Sequence, residues 1–243
     1  MKLLKFKKFP PVSYPVNEGF NTLATNLSFA GTERKKIMLT SSHASEGKSF
    51  TSMNLMRKLA ERGKRVVLVD ADIRRSMINT TYGVQFEEAG ENYGLSHYLA
   101  GIAELEDVLY QTDIEGAAMI PVGRDLLNPI PLLISNRFKN LLDRLAEQYD
   151  YVIVDAAPVG VVIDAAEIAK FCDGILLVVS HNKVHRQELI DAKTQLEQTG
   201  CPILGTVLNQ VDYGSYSGKK YYYKTNTYYS HYYQKSDKPG GKD

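Results

Sequence analysis

From residue 36 onward, short runs of nearly continuous Val, Ile and Leu alternate with longer amphipathic stretches, and few architectures accept that pattern. A strand covered on both faces needs apolar residues at almost every position, whereas a strand with one wet face alternates. The runs at 36–41, 65–70, 118–121, 151–155, 174–180 and 203–208 are of the first kind. Helical patterns at 48–62, 105–110, 136–148, 165–171 and 186–199 separate them. Together they read as βαβ units building an α/β fold: a doubly wound, mostly parallel sheet with helices on both faces. Gly63 and Gly200 stand where helices should stop. A further helix at 18–29 precedes the first strand, and 79–94 and 123–134 read as loops on the ligand edge of the sheet.

At 243 residues, 44% hydrophobic, the chain can bury one substantial core, so the expectation is a single domain over 16–212. Twenty-nine basic and twenty-eight acidic residues leave a formal charge of +1 and no global field for nucleic acid. Cys172 and Cys201 form no CxxC, which argues against a thiolate metal site and fits a reducing cytosol. No apolar run approaches the roughly 18 residues of a membrane span. Residues 1–15, opening with the basic stretch Met1 to Phe9, read as a flexible leader or as a weak contact with anionic lipid or a partner.

The chemistry begins between the first long strand and the first long helix. Ser42-His-Ala-Ser-Glu-Gly-Lys-Ser49 matches the P-loop pattern G-x-x-x-x-G-K-S/T except at its first glycine. In such a loop, backbone N–H groups over Ser45, Glu46, Gly47, Lys48, Ser49 and Phe50 bind phosphate oxygens. Lys48 reaches the terminal phosphates, and the Ser49 hydroxyl ligates Mg²⁺. The next strand ends in Asp70 and Asp72, two carboxylates leaving on one side of the chain, and the strand at 151–155 ends in Asp155. Three acids and a serine at adjacent strand ends suit a hard cation carrying phosphates. Beyond the domain lies a segment of a different kind. Nine of the sixteen tyrosines, Tyr213, Tyr216, Tyr221, Tyr222, Tyr223, Tyr228, Tyr229, Tyr232 and Tyr233, fall in residues 213–243. Interleaved with lysines and nearly free of Val, Ile and Leu, this tail should be mobile. Thirty-one flexible residues span roughly 30 Å, enough to bring a phenol to a neighbour's phosphate site.

With SEGKS, VVLVDADIRRS, the stretch VIVDAAPVGVVIDAAE at 152–167, VLNQVDY and the tyrosine cluster in view, the chain resembles the bacterial tyrosine kinases of capsule and exopolysaccharide biosynthesis, the CpsD/CapB type. The resemblance covers about residues 16–235. It implies an ATP- and Mg²⁺-dependent autokinase that phosphorylates its own or a neighbour's tail. Under it, Asp70 accepts the tyrosine proton, while Asp72 and Asp155 hold Mg²⁺ with Ser49. Asn209 matches the family's adenine contact, a plain loop asparagine being the alternative. The implied partners are a membrane adaptor of the polysaccharide co-polymerase type, a tyrosine phosphatase and further copies of the chain, which would place it in the cytoplasm at the inner face of the membrane. Three departures stand out. Ala44-Ser45 replaces the usual Pro-Gly, Phe50 replaces a threonine, and the early helix carries Asn21 and Ala24 where the family's E-x-x-R-x-x-R-T/S-N has arginines that mediate subunit contact. The last should weaken self-association. The competing reading is an ATP-dependent scaffold or switch of the partitioning-ATPase type. His43, standing where those proteins carry a signature lysine, counts against it.

Overall fold

A computed structural model describes residues 2–87, 90–124, 126 and 128–212. The central strands are β2 (Lys36–Ser41), β3 (Val66–Asp70), β6 (Ala117–Ile120), β7 (Tyr151–Asp155), β8 (Gly174–Ser180) and β9 (Ile203–Asn209). With β1 (Lys2–Phe6), β4 (Val84–Phe86) and β5 (Tyr110–Thr112) they form one sheet of nine in the order β4-β1-β5-β6-β3-β7-β2-β8-β9. All pairs from β6 to β9 in that order are parallel. Alternation along each strand sends side chains to two cores. Val67, Val69, Val152 and Val154 face one, whereas Val66, Leu68 and Ile153 face the other.

The first core is covered by α7 (Asn136–Gln148), α8 (Asp164–Ala169) and α9 (Arg186–Glu197). Helices α1 (Tyr14–Phe29) and α2 (Lys48–Glu61) cover the second. Helix α7 shows how locally the sequence specifies an element. Ser135 accepts a hydrogen bond from the Phe138 N–H at the amino end, and Phe138, Leu141, Leu142 and Leu145 form a buried stripe at helical spacing. Short helices α3 (Ile78–Tyr82), α4 (Leu95–Leu99), α5 (Leu105–Val108) and α6 (Ile130–Leu133) fill the connections.

Two expectations are corrected. The leader is not free: Lys2–Phe6 is a strand held between β4 and β5, with Leu4 fully buried. Tertiary pairing overrides its basic composition: Lys5 is exposed beside Glu87, and Lys2 is half-buried near Asp107. The stretch 79–94 is likewise not all loop, since it completes α3 and contributes β4, and 123–134 contains α6. Residues 21 and 24, where the resemblance expects arginines, lie along the seam between α1 and α2. Phe20, Ala24 and Leu27 form the buried face of α1, and Arg62 at the end of α2 donates to the Asn21 carbonyl at 2.6 Å and to Thr25 Oγ1 at 2.9 Å. Position 24 is therefore interior to this helix pair. Ala24→Arg is expected to destabilise the chain by about 1–3 kcal/mol through overpacking, whereas Asn21→Arg should stay within about 0.5 kcal/mol. Urea unfolding of the two variants tests this, and equal midpoints would mean that the α1–α2 seam opens to admit the longer side chain.

Candidate active site

The loop between β2 and α2 is fastened from several sides. Glu46 is buried and accepts the His43 N–H at 2.7 Å through one carboxylate oxygen and the Ser180 N–H at 3.0 Å through the other. Asn209, ending β9, donates Nδ2 to the Glu46 carbonyl at 2.8 Å. Gly47 has φ of 88°, and a β-carbon there would lie 1.9 Å from that same amide nitrogen. Glycine is thus required twice over, for conformation and for space. Helix α2 starts directly behind it with no acidic residue in the first turn and no side-chain cap. Its first N–H groups and its dipole favour an anion.

Facing the loop are the three strand-end acids. Lys48 Nζ lies 2.8 Å from Asp72 Oδ2, 3.5 Å from Asp155 Oδ2 and 3.3 Å from Ser49 Oγ. Burial opposes its charge, yet Asp155 and Asp72 raise the lysine above its ordinary value. Asp70 and Asp155 are register partners across β3 and β7. Burial, joined by that neighbouring carboxylate, pushes Asp70 up to about 8, against the pull of the Ser76 hydroxyl and Lys48. Burial raises Asp155 as well, while Lys48, Ser49 and Ser52 work the other way, Ser52 Oγ donating to Oδ1 at 3.0 Å. Asp70 Oδ1 is buried with no hydrogen-bond partner, and buried Asp155 Oδ2 has only its ion pair with Lys48. That is a polar deficit which a bound cation and its water would relieve. Among the described residues no three His, Cys, Asp or Glu side chains group closely enough to hold a metal by themselves. This donor set fits Mg²⁺, which commonly uses one or two carboxylates with a nucleotide's phosphates supplying further oxygens, and Ser49, Asp72 and Asp155 are the residues that would hold it.

Lys48, Ser49, Asp70, Asp72 and Asp155 are therefore brought together, with Ser45, Glu46 and Gly47 forming the loop beside them. Phe50 is placed differently. Its ring packs against Phe20 of α1 with centroids 5.8 Å apart, so only its backbone is at the loop–helix junction. Asn209 is at the site, where its amide nitrogen holds the loop. The nine tail tyrosines lie outside the described residues. Two further groups were not among the sequence candidates. Ser76 donates its hydroxyl to Asp70 Oδ2. Arg74 makes a two-pronged bond to buried Asp164, 2.7 Å from Nε and 3.0 Å through a terminal nitrogen, tying the segment after β3 to α8. The pair occurs in the sequence as the R of DADIRRS and the D of VIDAAE, but ninety residues separate them.

The AAA domain family matches residues 34–199. The tyrosine-protein kinase CpsD of Streptococcus agalactiae is 38% identical over 211 residues, covering 84% of this chain and 90% of that protein. The chain belongs to the bacterial tyrosine kinases. Among solved structures, this kinase is similar to the kinase domain of the Escherichia coli tyrosine kinase ETK, with 33% identity, a TM-score of 0.74 and coverage of 79% and 74% of the two chains. It also resembles the chimerical protein CapA2B2, with 30% identity, a TM-score of 0.73 and coverage of 84% and 91%. The switch-protein alternative is not favoured by relatives named as kinases. Among the described residues of this kinase, no helix is long and apolar enough to cross a membrane.

Proposed function

We propose that this tyrosine kinase transfers the terminal phosphoryl group of ATP to tyrosines of its own kind, chiefly Tyr213 to Tyr233 on a neighbouring copy, and that this modification regulates polysaccharide polymerisation and export. The observation that carries the reading is Lys48 held between Asp72 and Asp155 beside the bare amino end of α2. Such a site presents fixed charge to a transferring phosphoryl group and needs no reorganisation during the reaction. The phenol oxygen forms the new P–O bond as the bond to ADP breaks, and its proton passes to Asp70. Burial and the neighbouring Asp155 carboxylate favour the protonated form of Asp70. Mg²⁺, when bound with the phosphates, supplies positive charge that favours the ionised acid and offsets charge on the leaving group. Lys48 orients the terminal phosphate, and Ser76 fixes one oxygen of Asp70 so that the other is left to the phenol.

The same proposal places the protein at the inner face of the membrane through a membrane adaptor, with a tyrosine phosphatase reversing the modification and with self-association weakened at Asn21 and Ala24. Each phosphate adds about −1.5 to −2 charges, so a few of them outweigh the tail lysines and turn it away from an acidic site. The test uses deletion after Gly214 and, separately, Phe at all nine tail tyrosines, each incubated with ATP and Mg²⁺ and mapped for phosphotyrosine. Both variants are expected to bind ATP normally and to lose most of the label. Among the described tyrosines Tyr14 is 72% exposed whereas Tyr82 is 1% exposed, so retention of most label on Tyr14 would show the tail not to be the main acceptor.

A further inference from the structure

The phosphate loop lacks a glycine at residue 45, and the structure meets that departure from outside the loop. Ser45 has φ of 65°, a left-handed conformation that residues with a β-carbon rarely adopt. Its carbonyl accepts a hydrogen bond from Gln210 Nε2 at 2.8 Å. The orientation of the Gln210 amide is fixed at its other end, where Oε1 accepts Ser180 Oγ at 2.7 Å and Lys183 Nζ at 2.7 Å. Gln210 is itself left-handed, with φ of 55°, and directly follows Asn209, whose amide holds the Glu46 carbonyl. Two consecutive amides from the end of β9 thus hold two consecutive carbonyls of the loop. In a trans peptide the N–H points opposite to the C=O. Drawing the carbonyls of residues 45 and 46 toward β9 therefore turns the N–H groups of Glu46 and Gly47 the other way.

We propose that Gln210 is a positioning residue for the nucleotide's phosphates: it holds Ser45 in the conformation that a glycine would take unaided, and so presets the loop's N–H groups for a nucleoside di- or triphosphate. This rests on the reading of residues 42–49 as the nucleotide loop. It also explains how the chain tolerates Ala44-Ser45 in place of Pro-Gly, since the constraint has moved from the loop's own sequence to a side chain 165 positions away.

The experiment is a double-mutant cycle of Gln210→Ala and Ser45→Gly. One readout is hydrogen exchange of the amides of residues 44–47 in nucleotide-free protein, and the other is affinity for Mg·ADP with the KM for ATP. In the Ser45 background, Gln210→Ala is expected to speed exchange and weaken nucleotide affinity by about 3- to 10-fold, with kcat little changed, as fits loss of one hydrogen bond used in ground-state binding. In the Ser45→Gly background the same replacement is expected to cost under about 2-fold. Equal losses in both backgrounds, or no loss in either, overturn the proposal. Should the unmodified chain bind no nucleotide, the functional reading of the loop is at fault. Exchange then decides the role of Gln210 alone: acceleration confined to the Ser45 background supports it, and unchanged exchange overturns it.

Discussion

Lys48→Met is expected to reduce autophosphorylation by roughly 10²-fold or more, because a charge preset against the transferring phosphoryl group is worth several kcal/mol in the transition state. The structure adds a second consequence. Lys48 lies 2.8 Å from Asp72 and 3.5 Å from Asp155, and its side chain is only 11% exposed. Methionine leaves Asp70, Asp72 and Asp155 facing one another without that cation. The variant should fold with Asp70 and Asp155 raised further, since Lys48 pulls both down, and Mg²⁺ should raise its melting temperature more than it raises that of the unmodified kinase. Phosphotyrosine time courses together with thermal melts with and without Mg²⁺ check both parts. A purified Lys48→Met protein that labels itself at the normal rate would show that the loop is not the phosphate site.

Replacing the acids one at a time should separate two kinds of loss. Asp155→Asn and Asp72→Asn are expected to weaken Mg·ATP binding and phosphotransfer together, since a metal ligand is used before the phenol arrives. Asp70→Asn should leave nucleotide affinity within about 3-fold and lower kcat by roughly 10²-fold or more, since a proton acceptor matters only in the transition state. None of the three should unfold the chain. Asp70 and Asp155 sit opposite each other on adjacent strands and are both raised by burial, so taking away one carboxylate relieves repulsion in the nucleotide-free protein. Titration of ADP binding beside initial rates distinguishes the roles. An equal drop in affinity for all three variants would remove any special part for Asp70.

The strands buried on both faces were legible nearly to the residue. β2, β7 and β8 begin and end where their apolar runs do, because no face of them is left to solvent and every position carries the same demand. β1 was not legible, for the opposite reason. Lys2-Leu-Leu-Lys-Phe6 carries too much charge to read as a strand, and its reason for being one lies in partners around residues 85 and 111. At the site, Lys48, Ser49, Asp70, Asp72 and Asp155 could be read because phosphate and Mg²⁺ chemistry constrains their types and spacing together. Ser76, Gln210 and the side chain of Glu46, a residue read only for its backbone N–H, carry no such signature. A serine six residues after an aspartate, a glutamate within a loop and a glutamine after an asparagine are ordinary surface residues until the fold sets them against Asp70, the Ser180 N–H and the Ser45 carbonyl.

The first strand also sets a timetable. Of the described elements Lys2–Phe6 is made first, yet its two neighbours in the sheet are Val84–Phe86 and Tyr110–Thr112. At about 5–20 residues per second, it waits roughly 5–20 s for the second of them to be made. Through that interval β2 and β3 can form without it, while Leu4 and Phe6 have nowhere to bury. The lysines at positions 2, 5, 7 and 8 fall in and around those apolar residues, and their like charge discourages pairing between nascent chains. The basic character that hides β1 in the sequence therefore has a use of its own: it keeps the earliest-made strand of the sheet from choosing a partner before the right one exists.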